Sequence, residues 1–163
     1  MAYEFDIRRA KNSAKEIIER FDIKEPPVDP VEIARQLGLR VYFARFDAAN
    51  SRISGFYDCD DNAIYVNEEE FPLRQTFTVA HELGHYILHR EWAKSNDYKV
   101  LMRDEMSSRD PYEIEANEFA GNLLAPRFML DKYWKELSVT QLSKLFAMSV
   151  PAINVRLSKE YGV

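Results

Sequence analysis

A chain of 163 residues has the length of one domain with a sizeable core. An apolar fraction of 46% with 10 Phe and 9 Tyr excludes a disordered chain, and a net charge of −5 excludes a global basic field that would draw in nucleic acid or anionic membrane. The single cysteine, Cys59, excludes an internal disulfide and reads as a buried structural thiol in a reducing compartment. No stretch has signal-peptide character or the ~20 apolar residues of a membrane span, so the expected location is cytoplasmic, without membrane contact.

Taken in order, Asp6 to Phe21 places Ile7, Ala10, Ala14, Ile17, Ile18 and Phe21 at helical spacing and predicts an amphipathic helix. Pro26 and Pro27 interrupt it. Asp29-Pro30-Val-Glu32 then restarts a helix with a capping aspartate, a proline at the first helical position and a glutamate placed for a capping box; Gly38 should end it. Leu39 to Phe46, Ile53 to Tyr57 and Ala63 to Asn67 read as three strands, and their short turns predict an antiparallel meander. The third leads into a helix from Phe71-Pro72 to about Arg90. Glu91 to Asp110 is charged and aperiodic, and reads either as a solvated linker or as a lid over a site. Asp110-Pro111 opens a further helix that Pro126 ends, followed by Arg127 to Leu137. Two short helices meeting at Met148-Ser149-Val150 close the chain.

The chemistry sits in Phe77-Thr-Val-Ala-His81-Glu82-Leu-Gly-His85-Tyr-Ile-Leu-His89, which holds all three histidines. Four helical residues advance ~6 Å and turn ~400°, so His81 and His85 leave one face a turn apart. Two such imidazoles can share a metal ion at ~2.0–2.1 Å. Glu82, ~100° round from His81, can reach a water in that site without displacing it. His89 lies ~12 Å along the axis from His81, too far for one ion to bridge all three. It is read as a packed histidine behind the ligands.

A third ligand is therefore required, and the best candidates lie in Glu113-Ile-Glu115-Ala-Asn117-Glu118. Glu113 and Asn117 share a helix face, while Glu115 and Glu118 read as solvated surface. Glu113 also falls three residues after Asp110, where it would serve as a capping-box glutamate, and spacing alone leaves both roles open.

These two segments together resemble the ImmA/IrrE family of metallopeptidases. The resemblance extends to Asp29-Pro30-Val-Glu-Ile-Ala34 with its Leu37-Gly38 ending, and to Ile64-Tyr-Val-Asn67. It implies an α+β, zincin-like fold with a small three-stranded antiparallel sheet on a helical bundle. Residues 1–137 would form the peptidase domain and 138–163 a helix-turn-helix-like pair packed on it. It further implies His81, His85 and Glu113 as metal ligands, Glu82 as catalytic acid–base, and Asn117 as a group orienting a histidine. Glu113 is preferred to Glu115 because the family pattern is Glu-x-x-Ala-Asn. Zinc is the implied metal, with manganese as the alternative.

The implied substrate is a helix-turn-helix transcriptional repressor of a mobile element or stress response, cleaved and so inactivated. A non-catalytic regulator that antagonises a repressor by binding is the rival reading. If Ile64 to Asn67 borders the cleft, it would hold an extended peptide by strand addition. Tyr65, Tyr86 and Tyr112 are candidate oxyanion donors. The last helix offers only Arg156 and Lys159 to phosphates, with Glu160 beside them, so packing or partner docking is favoured over DNA binding.

Overall fold

The computed structural model describes residues 5–95, 98 and 110–163. Helix α1 (Ile7–Arg20) starts where the Asp6 carboxylate accepts the Arg9 N–H, and buries Ala10, Ala14, Ile17 and Ile18. Helix α2 (Pro30–Gln36) begins under Asp29, which accepts the N–H groups of Val31 and Glu32, with Pro30 at the first turn. Gly38, at φ 92°, turns the chain into the sheet.

Strands β1 (Arg40–Ala44), β2 (Gly55–Asp58) and β3 (Ala63–Asn67) form one sheet in the order β1-β3-β2. β2 and β3 pair antiparallel, with Phe56 opposite Tyr65, whereas β1 and β3 run parallel, with Val41 opposite Ile64. The sheet is thus mixed, which corrects the antiparallel meander. The reason lies in the connections. Residues 59–62 are a tight hairpin, but residues 45–54, with a 3-10 turn at Ala48–Asn50, are long enough to carry the chain to the far edge. Two consequences follow. β3 is the central strand, so it cannot be the sheet edge beside a cleft; β2 holds that edge. Cys59, in the hairpin, is half-buried rather than buried.

Helix α3 (Pro72–Leu88) carries the histidine motif, stops at Leu88 and is followed after His89 by the short α4 (Arg90–Ala93). The rest of the stretch expected to be linker or lid lies outside the described residues, apart from Ser95, Lys94, Tyr98 and Asp110. Helix α5 (Pro111–Leu124) packs along α3 and α1. Gly84 lets α3 and α5 touch: a Cβ there would stand 3.0 Å from Phe119 Cδ1 and 3.4 Å from the Ala116 backbone. β2 approaches α3 as closely at Gly55, where a Cβ would be 2.6 Å from Thr78 Cγ2.

Helices α6 (Arg127–Tyr133), α7 (Val139–Phe146) and α8 (Val150–Tyr161) complete the chain, with a Ser138/Gln141 capping box opening α7. α6 ends at Tyr133, short of the expected Leu137. The last two helices bury Leu142, Phe146, Ile153 and Leu157 in the common core. Arg156 is itself buried; its Nε and Nη2 donate to the Ala125 carbonyl at 3.1 and 3.0 Å and Nη2 meets Glu160 at 3.0 Å. Lys159 pairs with Glu118. Glu118 is therefore an inward-facing partner, not solvated surface. Among the described residues no helix is long and apolar enough to cross a membrane.

Candidate active site

α3 brings His81, Glu82 and His85 to its buried face, and α5 supplies Glu113 from its first turn. Asp110 caps α5 by accepting the Tyr112 and Glu113 N–H groups at 2.9 and 3.3 Å. The Glu113 side chain does not return to that cap. Its Oε2 lies 2.8 Å from His81 Nε2 and its Oε1 2.9 Å from His85 Nε2. His81, His85 and Glu113 each offer a ligand atom, all within 4.8 Å of one another, and all three residues are buried.

The far sides of the rings are also engaged. His81 Nδ1 is 2.8 Å from Asn117 Oδ1, an acceptor, so the His81 proton belongs on Nδ1 and the lone pair on Nε2. His85 Nδ1 is 2.9 Å from His89 Nδ1, and His89 Nε2 is 2.6 Å from Glu115 Oε1. His89 thus stands behind His85, as its distance from His81 along the helix requires. Glu115 is wholly buried, which corrects its reading as surface. No local spacing in the sequence marks this burial, because the partners of Glu115 come from other elements.

Whether these residues suit a metal can be decided by counting protons. Three neutral imidazoles bring three N–H groups to five ring contacts. Once Asn117, the His85–His89 contact and Glu115 have theirs, the two contacts left without a proton are both on Glu113. Among the described residues, His81 Nε2 and Glu113 Oε2 make no aligned hydrogen bond although they stand 2.8 Å apart. Two ring lone pairs and a carboxylate converging on one buried point fit a cation.

In the metal-free chain a proton takes the place of the ion. Burial pulls the His81 imidazolium down, but the Glu113 carboxylate outweighs it and holds His81 up to about 9. Glu113 moves the other way: burial opposes its charge, and His81 and His85 together hold it well below the usual carboxylate range. Burial drives His85 down to about 4.

Glu82 stands beside this trio, and burial raises its carboxyl to about 8. Its Oε2 accepts the Tyr98 hydroxyl at 3.0 Å, and that hydroxyl accepts the Tyr57 N–H of β2 at 2.7 Å. The outer edge of β2, its Tyr57 N–H held by Tyr98, therefore abuts the Glu82 carboxylate. Of the tyrosines nominated as oxyanion donors, Tyr65 is elsewhere, bonded to Asp61 at 2.9 Å. Tyr112 stacks on Trp92 at 4.1 Å, edge-on to His89, and Tyr86 lies against Tyr57 and under Arg90. Tyr98 was not singled out, because nothing in the spacing of an aperiodic charged stretch marks it.

A buried His-His-Glu trio drawn from two packed helices, with a further carboxylate on the same face and a sheet edge alongside, defines a metallopeptidase. Comparison with known proteins agrees. Residues 34–158 match the Peptidase_M78 family, the IrrE N-terminal-like domain. The chain is 31% identical over 121 residues to "uncharacterized immunity region protein 2" of Bacillus phage phi105, covering 73% of this chain and 72% of that protein. It is 29% identical over 125 residues to "Metallopeptidase ImmA" of Bacillus subtilis strain 168, covering 74% and 70%. A solved Mycobacterium tuberculosis transcriptional regulator shares the fold at a TM-score of 0.67 and 19% identity; the match covers 92% of this chain but 46% of that one, so this chain spans just under half of that regulator's length. The chain belongs to the Peptidase_M78 family and is a metallo-endopeptidase.

Proposed function

We propose that the protein is a zinc endopeptidase that cleaves and inactivates a helix-turn-helix repressor. His81, His85 and Glu113 hold the metal, with manganese the alternative, and Glu82 is the acid–base. The observation that carries this reading is the buried convergence of His81, His85 and Glu113, their ligand atoms within 4.8 Å of one another, beside a second buried carboxylate facing a sheet edge. When bound, zinc supplies Lewis-acid activation of water and of the scissile carbonyl. Glu82 takes the proton from the attacking water and delivers it to the leaving amine; the raised affinity of its carboxyl for a proton suits both steps. Asn117 holds the His81 lone pair toward the metal. The outer edge of β2 is the place for an extended peptide, in strand addition at the edge nearest Glu82.

The repressor as substrate is supported by the family match and by the names of the phage immunity-region protein and ImmA. Residues 138–163 are read as a helix pair packed on the peptidase domain of residues 1–137. Arg156 and Lys159 are engaged with Ala125, Glu160 and Glu118, which favours packing or partner docking over DNA binding. The single thiol accords with a cytoplasmic location.

Glu82→Gln tests the catalytic reading. It should keep the fold and the metal while cleavage of the cognate repressor falls by about 10²–10⁴-fold. Undiminished repressor inactivation by this variant would instead favour a regulator that acts by binding.

A further inference from the structure

Glu115 lies two residues from Glu113 on α5, about 200° round the helix, and so faces away from the metal ligands. A wholly buried carboxylate there is costly unless its oxygens receive donors. Oε2 accepts the backbone N–H of Asp6 at 2.5 Å, and Oε1 meets His89 Nε2 at 2.6 Å. The carboxylate can only accept, so the His89 proton must lie on Nε2. A neutral His89 then presents the lone pair of Nδ1 to His85 Nδ1, 2.9 Å away. His85 must answer with its own Nδ1–H. Its remaining lone pair is then on Nε2, the atom facing Glu113.

The geometry points to Glu115 as a positioning residue that sets the tautomer of His85 through His89, and so makes His85 Nε2 a metal ligand from two imidazoles away. This rests on reading His81, His85 and Glu113 as the metal site. A doubly protonated His89 would aim the wrong proton at His85 and place a further positive charge one ring away from a dication, among buried residues. His81 reaches the same state by a single step through Asn117. The two ligands are thus oriented by separate devices on one helix, Asn117 for one and Glu115 with His89 for the other.

The relay has a direction, and an isosteric change reverses it. In Glu115→Gln the Asp6 N–H retains the amide oxygen at the position of Oε2, so the amide NH2 faces His89 Nε2. His89 Nε2 must then accept, its proton moves to Nδ1, and it donates to His85 Nδ1. The His85 proton is displaced to Nε2, where the metal should bind. Outer hydrogen-bond partners of zinc-binding histidines are worth about 10–100-fold in metal affinity.

The test uses the full chain and zinc, with affinity read by competition against a chromogenic chelator and tautomers by long-range ¹H–¹⁵N NMR of the histidine rings. In zinc-loaded wild type we expect Nδ1–H at His81 and His85 and Nε2–H at His89. Glu115→Gln should bind zinc about 10–100-fold more weakly and show His89 as Nδ1–H. Glu115→Asp, which keeps the acceptor, should retain the wild-type tautomer and bind more tightly than the glutamine variant. A wild-type His89 with its proton on Nδ1, or unchanged zinc affinity in Glu115→Gln, overturns the proposal. If Glu115→Gln does not fold, the wild-type spectrum decides alone. A wild-type chain that binds no zinc would overturn the metal-site reading instead, a result distinct from wild type and variant binding zinc equally.

Discussion

The Tyr98 hydroxyl donates to Oε2 of Glu82 across 3.0 Å while accepting the backbone N–H of Tyr57 at 2.7 Å, so one side chain links the proposed acid–base to the edge of β2. Burial raises the Glu82 carboxyl to about 8, His81 works against that rise, and the Tyr98 donor also favours the charged form. Removing the donor in Tyr98→Phe should move the acid limb of the pH–rate profile to higher pH. A hydrogen bond to a charged group is worth about 1.5–3 kcal/mol, so kcat/KM should fall roughly 10–100-fold, with metal content unchanged. An acid limb that stays in place would show that Tyr98 does not act on Glu82.

Metal binding should release a proton from His81. In the metal-free fold Glu113 holds His81 up to about 9, above its ordinary 6.5, even though burial acts in the opposite sense. The protonated pair therefore stabilises the metal-free fold fully below about 6.5, and that contribution is lost as pH rises through about 9. The ion competes with this proton, so zinc affinity should climb about tenfold per pH unit up to about pH 9 and then level off. Calorimetry in buffers of different ionisation enthalpy reads the released proton. A flat affinity between about pH 7 and 9 would place the proton elsewhere.

Gly55 tests the closeness of β2 to α3. A Cβ there meets both Thr78 Cγ2 and the Tyr65 carbonyl oxygen at 2.6 Å, and the second is backbone that cannot rotate away. Gly55→Ala should cost about 1–3 kcal/mol of stability, by overpacking. Denaturant unfolding of the metal-free chain measures this, and a variant as stable as wild type would mean the edge strand can give.

The helix starts were legible because capping residues and apolar periodicity act locally, whereas the ends near Arg90 and Leu137 were placed too far on. Asp6, Asp29 and Asp110 each accept backbone N–H groups at the helix starts they mark. The shared face of His81 and His85 was legible for the same reason, since four residues on a helix fix their relative direction. Strand order was not. The hydrophobic runs of β1, β2 and β3 have no mark of which neighbours which, and a connection of residues 45–54 permits the crossing that makes the sheet mixed.

The sequence by itself determined that His81 and His85 leave one helix face with Glu82 beside them, and that His89 lies too far along the axis to meet His81, all properties of one helix. Only the tertiary structure decided what stands opposite. Gly84 and Ala116 let α5 approach until Glu113 turns from its cap to both imidazoles. The same approach buries Glu115 behind His89, and the fold brings Tyr98 to Glu82. A hydrogen bond between elements depends on where packing puts their faces, and no local spacing records that.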